Sequence, residues 1–201
     1  NKIDKNADNK VDKKVKFPED CVGLEELKRT WLWDEVEEFS ITHRVRVEDM
    51  LEWKWKWWNG RIVIPCWDRR REKLLYWTAR AVSEYTQPRY INCWMGEKAL
   101  WGLDVRDTSN GILYVCEGWK DAYRVGGVAV LGKGISMSQV NGLREVIEED
   151  GVKEVVVVFD SDAVKEAYKV AEFLGCEIGV RRVKLGVGVL GNGLKDLGEA
   201  K

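Results

Sequence analysis

The chain has 201 residues, 45% of them hydrophobic and 33% charged, with a formal net charge of -1, so it can bury a core across one or two compact units. No apolar run approaches the roughly 20 residues of a membrane span and no signal-peptide pattern is present, which argues against a membrane protein and for a cytoplasmic one. The cysteines (Cys21, Cys66, Cys93, Cys116, Cys176) are odd in number, widely spaced and without a C-x-x-C pair, and His43 is the only histidine; a disulfide framework, a zinc knuckle and a His-based triad are therefore not indicated.

In chain order, residues 1–17 are a polar tail of Lys, Asp and Asn with no core of its own. The first residue is Asn1 rather than Met, which reads as a piece of a longer protein. From Pro18 to Glu38, acidic and apolar residues mix at helical spacing, with Trp31, Trp33 and Val36 as core contacts, and Thr42 to Leu51 allows a second short helix. Trp53-Lys54-Trp55-Lys56-Trp57 alternates strictly, predicting a strand with three indoles on one face. Asn59-Gly60 supplies a hairpin turn. Arg61 to Trp67 and Lys73 to Ala79 complete an antiparallel meander. Aromatics interleaved with Lys and Arg can stack single-stranded bases, but large aromatics are also ordinary sheet and core residues, and core is the reading for most of the 11 tryptophans.

From Gly111 the pattern changes to strand, helix, strand, helix. Strands are predicted at Ile112 to Cys116, Val128 to Leu131, Val155 to Phe159 and Glu177 to Lys184. Helices fall between them, from about Trp119, from Ser136 or Ser138 to Glu149, and from Ala163 to Leu174. The fold class is thus α/β: a parallel sheet flanked by helices (107–201), preceded by a smaller α+β subdomain with an antiparallel meander (18–106).

Acidic residues mark the carboxyl ends of these strands, where an open α/β sheet places its ligands. Glu117-Gly118 follows the first, Asp160-Ser161-Asp162 the third, and Lys195-Asp196 comes after a glycine-rich stretch at Gly186, Gly188, Gly191 and Gly193. Magnesium takes one or two carboxylates plus substrate phosphates, so an Asp and Glu cluster with little His points to phosphoryl transfer. Asp160 and Asp162 would face the same side in extended geometry, and Asp121 lies in a first helical turn, where an acid also simply suits the helix dipole. Between Trp53 and Lys98 ten Lys or Arg stand against four acids, whereas residues 107–201 hold twelve basic and fifteen acidic side chains. A basic half before an acidic one suits a polyanionic substrate brought to bound metal, although such charges also decorate solvated faces.

Glu117-Gly118-Trp119-Lys120-Asp121-Ala122 resembles the E-G-x-x-D motif of the Toprim domain, and Phe159-Asp160-Ser161-Asp162-Ala163 resembles its D-x-D motif. Upstream, Arg61 to Pro65 with Asp68, Thr78-Ala79-Arg80, Pro88 to Asn92 and Lys98 to Leu103 follow the order found in the bacterial and phage type of DNA primase, including primase-helicases. The resemblance covers roughly residues 58 to 200. It departs at the third acidic motif, where Gly198 stands in place of the second acid that primases often carry two residues after the one matched by Asp196.

The resemblance implies a DNA primase catalytic core that makes RNA primers on single-stranded DNA from ribonucleoside triphosphates. It implies Mg2+ or Mn2+ held by Glu117, Asp160, Asp162 and Asp196, with Asp121 assisting catalysis and Glu117 able to serve as general base. Arg61, Arg80, Arg89, Lys98 and Lys195 match positions that face nucleotide or template. It also implies a zinc-binding domain and a replicative helicase supplied elsewhere, no zinc in this chain, and a prokaryotic cell or virus-infected host. Two other function classes remain open: a metal-dependent nuclease using the same carboxylates, and a non-catalytic module that binds nucleic acid or helicase.

Overall fold

The computed structural model describes residues 14–178 and 183–185. Its first sheet is antiparallel with five strands in the order β1-β2-β3-β4-β5: Val22–Gly23, Lys56–Trp58, Arg61–Trp67, Leu74–Ala81 and Tyr90–Asn92. The β2–β3 hairpin turns on Asn59 (φ 46°) and Gly60 (φ 70°), two positive angles that match the twist of paired strands. All seven residues of β3 are buried. Pro65 is accommodated because β2 pairs only with Arg61 to Val63, so β3 has lost that neighbour before it reaches the proline.

Three helices lie between β1 and β2 and pack on this sheet: α1 (Leu24–Leu27), α2 (Leu32–His43) and α3 (Val47–Glu52). The predicted helix over 18–38 is therefore interrupted, by β1 and by a turn in which Leu27 accepts from both Thr30 N and Thr30 Oγ1. Val36, Phe39 and His43 recur at helical spacing and form the buried stripe of α2, while Trp31 lies 73% exposed and outside the core. The strand predicted from Trp53 starts only at Lys56: Trp53 caps α3, its N–H bonded to Asp49 O, and Lys54 takes φ 58°. The end of the polar tail also differs from expectation, because Val15 and Phe17 pack on the core and Trp77 Nε1 donates to Lys16 O at 2.9 Å.

The second sheet is parallel, with four strands in the order β7-β6-β8-β9: Val128–Ala129, Ile112–Cys116, Glu154–Val158 and Val183–Leu185. Helix α4 (Trp119–Val125) links β6 to β7, and α5 (Met137–Asp150) links β7 to β8. A short 3₁₀ turn at Ser161–Ala163 leads into α6 (Val164–Ile178), which precedes β9. The strand expected over Glu177 to Lys184 is thus shorter, since Glu177 and Ile178 continue the helix.

Side-chain alternation sorts the two faces of this sheet. Leu113 and Val115 of β6 and Val155 and Val157 of β8 join Leu143 and Val146 of α5 and Val170 and Leu174 of α6 in one core. Tyr114, Cys116 and Val158 point the other way, into the core shared by α4 and the meander. Trp119 is the hinge of that shared core, stacked on Phe39 at 6.1 Å and edge-on to Trp55 at 5.2 Å. Trp55, Trp57, Trp67, Trp77, Trp101 and Trp119 are all buried, so core is where most of the described indoles reside.

Charges tie the units together away from the apolar contact. Asp150, at the end of α5, accepts from Arg69 Nη2 (2.6 Å), Arg106 Nε (2.8 Å) and Thr108 Oγ1 (3.0 Å), and Arg71 Nε reaches Asp104 at 2.7 Å. Burial pushes the Asp150 carboxyl up, but these donors and cations outweigh it and hold the group below the usual carboxylate range.

Candidate active site

A cavity of about 550 Å3 opens where the carboxyl ends of β6 and β8 meet the β4–β5 edge of the meander. Thr78 and Arg80 are two apart on β4 and therefore share a face; pairing sets Asn92 opposite Thr78 and Tyr90 opposite Arg80, so all four line the cavity together. Arg89 joins them from the turn before β5. The opposite wall is made of Glu117 to Asp121, Leu131, Gly132 and Asp160.

Glu117 follows the last residue of β6, and Gly118 in extended conformation caps the start of α4. Glu117 Oε2 is buried with no hydrogen-bond partner, an arrangement that costs free energy unless a cation or donor completes it. Burial first, then the neighbouring Asp160 and Asp162, raise the Glu117 carboxyl above its ordinary value, with Lys133 opposing. Asp121 is buried in the first turn of α4, its Oδ2 close over Gly118: a methyl group on that glycine would lie 3.3 Å from it. Its place matches the helix-dipole role as well as a place on the cavity wall.

Asp160 and Asp162 part company. The chain leaves extended geometry at Asp160 for the 3₁₀ turn, with Ala163 N bonded to Asp160 O at 2.9 Å, so the two carboxylates do not share a face as expected. Asp160 lines the cavity; Asp162 is 75% exposed and pairs with Lys133 Nζ at 3.3 Å. Lys133 sits in the loop after β7, where Leu131 (φ 57°) and Gly132 (φ 141°) turn the chain and Gly132 N donates to Glu117 O. Asp196 and Lys195, and the glycines from 186 to 193, lie outside the described residues.

Of the basic residues expected to face nucleotide or template, Arg80 and Arg89 line the cavity and Arg61 does not. Arg61 is buried, donating from Nη2 to Pro88 O (2.7 Å) and from Nη1 to Asn59 O (3.3 Å), which fastens the hairpin turn to the β4–β5 loop. Lys98 stands behind the wall: a Cβ on Gly132 would meet its Nζ at 2.9 Å. Burial lowers its proton affinity, while Cys66 and then Glu117 raise it. The helix α5 amino terminus anchors this lysine, because Ser136 Oγ donates to Lys98 O and buried Gln139 donates to both Ala99 O and Val130 O.

Thr78, Asn92, Tyr90 and Lys120 also line the cavity; they fall within the segments that carry the resemblance, but the sequence assigns them no role. The alternation of Thr78 with Arg80 is legible once β5 is known to pair there. His43 is a further absentee. It is buried, and reaches Arg80 from the end of α2.

Among the described residues, no three His, Cys, Asp or Glu side chains gather closely enough to form a metal site by themselves. Glu117 and Asp160 nonetheless fit magnesium: both are hard oxygen donors on adjacent strand ends, one presents an orphaned buried oxygen, and magnesium completes its shell with phosphate and water.

No known family model matches the chain, and no curated protein matches it. Among solved structures, the fold is similar to that of a primase. The similar structure is the crystal structure of the zinc-binding and RNA polymerase domains of the Aquifex aeolicus primase, with 28% sequence identity and a TM-score of 0.50. The match covers 64% of this chain and 35% of that one, so the chain corresponds to about a third of its length.

Proposed function

We propose that the chain is the catalytic core of a DNA primase, with residues 107–201 as its Toprim domain, joining ribonucleotides on a single-stranded DNA template. The observation that carries this reading is the cavity in which Glu117 and Asp160 face Arg80 and Arg89 across two differently built sheets. Carboxylates on one wall and guanidinium groups on the other suit a nucleoside triphosphate: the acids share its divalent counterion and the arginines meet phosphate oxygens directly. The similarity to the Aquifex aeolicus primase supports the same reading.

Glu117 and Asp160 would hold Mg2+, with Asp162 and Asp196 as further ligands. The ion, once bound, neutralises charge developing on the phosphates. Arg80 and Arg89 orient the triphosphate, and Lys98, close to the β7–α5 loop, adds positive charge to that wall. Attack by a 3′-hydroxyl on the α-phosphorus breaks the bond to the bridging oxygen and releases pyrophosphate, and Glu117 accepts the hydroxyl proton. Asp121 supports the Glu117-Gly118 turn. Lys195 would contact nucleotide or template, and a zinc-binding domain and a replicative helicase would act in trans or from elsewhere in a longer chain.

Labelled ribonucleotide incorporation on single-stranded DNA with Mg2+ or Mn2+ tests this, with a short primer supplied in half the reactions. Template-dependent products that fall at least about a hundredfold in Asp160→Asn are expected. Strand cleavage without synthesis would instead establish a nuclease, and DNA binding with neither activity a non-catalytic module.

A further inference from the structure

His43 and Arg80 are both buried, at 8% and 5% exposure, with Phe39 and Trp119 against the imidazole. Arg80 Nε donates to His43 Nε2 at 2.9 Å, so the imidazole is an acceptor there and carries its hydrogen on Nδ1. Arg80 Nη1 donates to the Tyr90 hydroxyl, and the guanidinium carbon lies 4.9 Å from the centre of the Tyr90 ring. Two of the five guanidinium donors are thereby committed to protein, on different nitrogens, and the plane of the group is fixed against a ring. The imidazole is itself clamped, 4.3 Å from Phe39 and 5.9 Å from Trp119, both edge-on.

We infer that His43 is a positioning residue for the proposed nucleotide site: its neutral Nε2 aims the remaining donors of Arg80 into the cavity where the triphosphate is to bind. This rests on the phosphate-binding reading of Arg80. The chemistry requires a neutral acceptor, because a protonated ring would place a donor and a positive charge against the guanidinium. The surroundings enforce neutrality: burial, then the charges of Arg80 on β4, Lys120 on α4 and Arg89 before β5, press the His43 pKa down to about 3. A histidine that merely filled the core would not need its acceptor nitrogen on the arginine.

The test compares affinity for ATP with Mg2+, by calorimetry, across the parent, His43→Phe, His43→Gln and Arg80→Gln, with melting temperatures measured alongside. His43→Phe keeps an aromatic ring against Phe39 and Trp119 but removes the acceptor, and is expected to weaken ATP about tenfold, the size of a lost charge-assisted hydrogen bond. His43→Gln restores an acceptor and stays within about threefold of the parent. In the Arg80→Gln background, His43→Phe has no further effect on affinity, since there is no guanidinium left to aim. Should the phenylalanine variant fail to fold, His43→Asn, whose shorter acceptor falls short of Arg80, carries the same prediction. Unchanged ATP binding in His43→Phe, or a loss that persists without Arg80, overturns the inference alone. No ATP binding by the parent overturns the nucleotide reading and the inference with it.

Discussion

Glu117 is where the needs of the fold and of the chemistry oppose each other. Its carboxyl is raised chiefly by burial and then by Asp160, so the folded chain binds that proton more tightly than the unfolded one. Stability from this group is then present at low pH and is lost as pH rises from the unfolded value, about 4.3, through the higher folded value. Above that window the ionised side chain destabilises the metal-free protein. Glu117→Gln is therefore expected to raise the melting temperature in EDTA at pH 7 by about 2–4 °C, for a gain of about 1 kcal/mol, while the proposed primer synthesis is lost. The gain should shrink as the pH falls from the raised folded value towards about 4.3, and be absent below it. A melting temperature that drops at every pH would mean that Glu117 makes a stabilising contact instead. His43 has the opposite dependence. Its depressed value, about 3, makes its contribution complete above the unfolded value of 6.5 and progressively lost on acidification towards 3.

At the level of elements, the crossover from β6 through α4 to β7 positions the acid wall, and it has no slack. Gly126 ends α4 in left-handed conformation (φ 65°), and a Cβ on Gly127 would lie 2.5 Å from Tyr114 O and 2.8 Å from Tyr114 Cβ. Tyr114 cannot retreat, because β6 is paired on both sides. Gly127→Ala should cost about 3 kcal/mol, read from the denaturation midpoint; a loss below about 1 kcal/mol would show that the crossover yields. This half of the molecule was legible in the sequence because strands fully buried on one face and partly buried on the other read as unbroken apolar runs, as at Ile112 to Cys116 and Val155 to Val158. The amino-terminal half was less so. Alternation at Trp53 to Trp57 imitates a strand, yet a helix cap and the positive φ of Lys54 bring the indoles of Trp53 and Trp55 within 6.3 Å of each other. Helical spacing over 18–38 likewise conceals the break at β1 and the turn at Thr30. Asp160 and Asp162 separate for a comparable reason: a two-residue spacing places side chains together only while the backbone stays extended, and here it turns.

For the molecule as a whole, the site lies between two sheets of different construction, and neither sheet carries it alone. The aromatic core around Trp119 and the Arg69, Arg71 and Arg106 ion pairs hold those sheets together, so that Arg80 on β4 faces Glu117 at the carboxyl end of β6. Such partners were visible in the sequence as separate motifs. Their convergence was not, because the contacts that create it are long-range, as with His43 and Arg80, 37 residues apart. If this cavity is a metal–nucleotide site, titration with Mn2+ followed by electron paramagnetic resonance, with and without ATP, reads it directly. A bound ion is expected whose affinity increases with ATP, and which is lost in both Glu117→Gln and Asp160→Asn. Mn2+ binding that is indifferent to ATP and to both substitutions would contradict it.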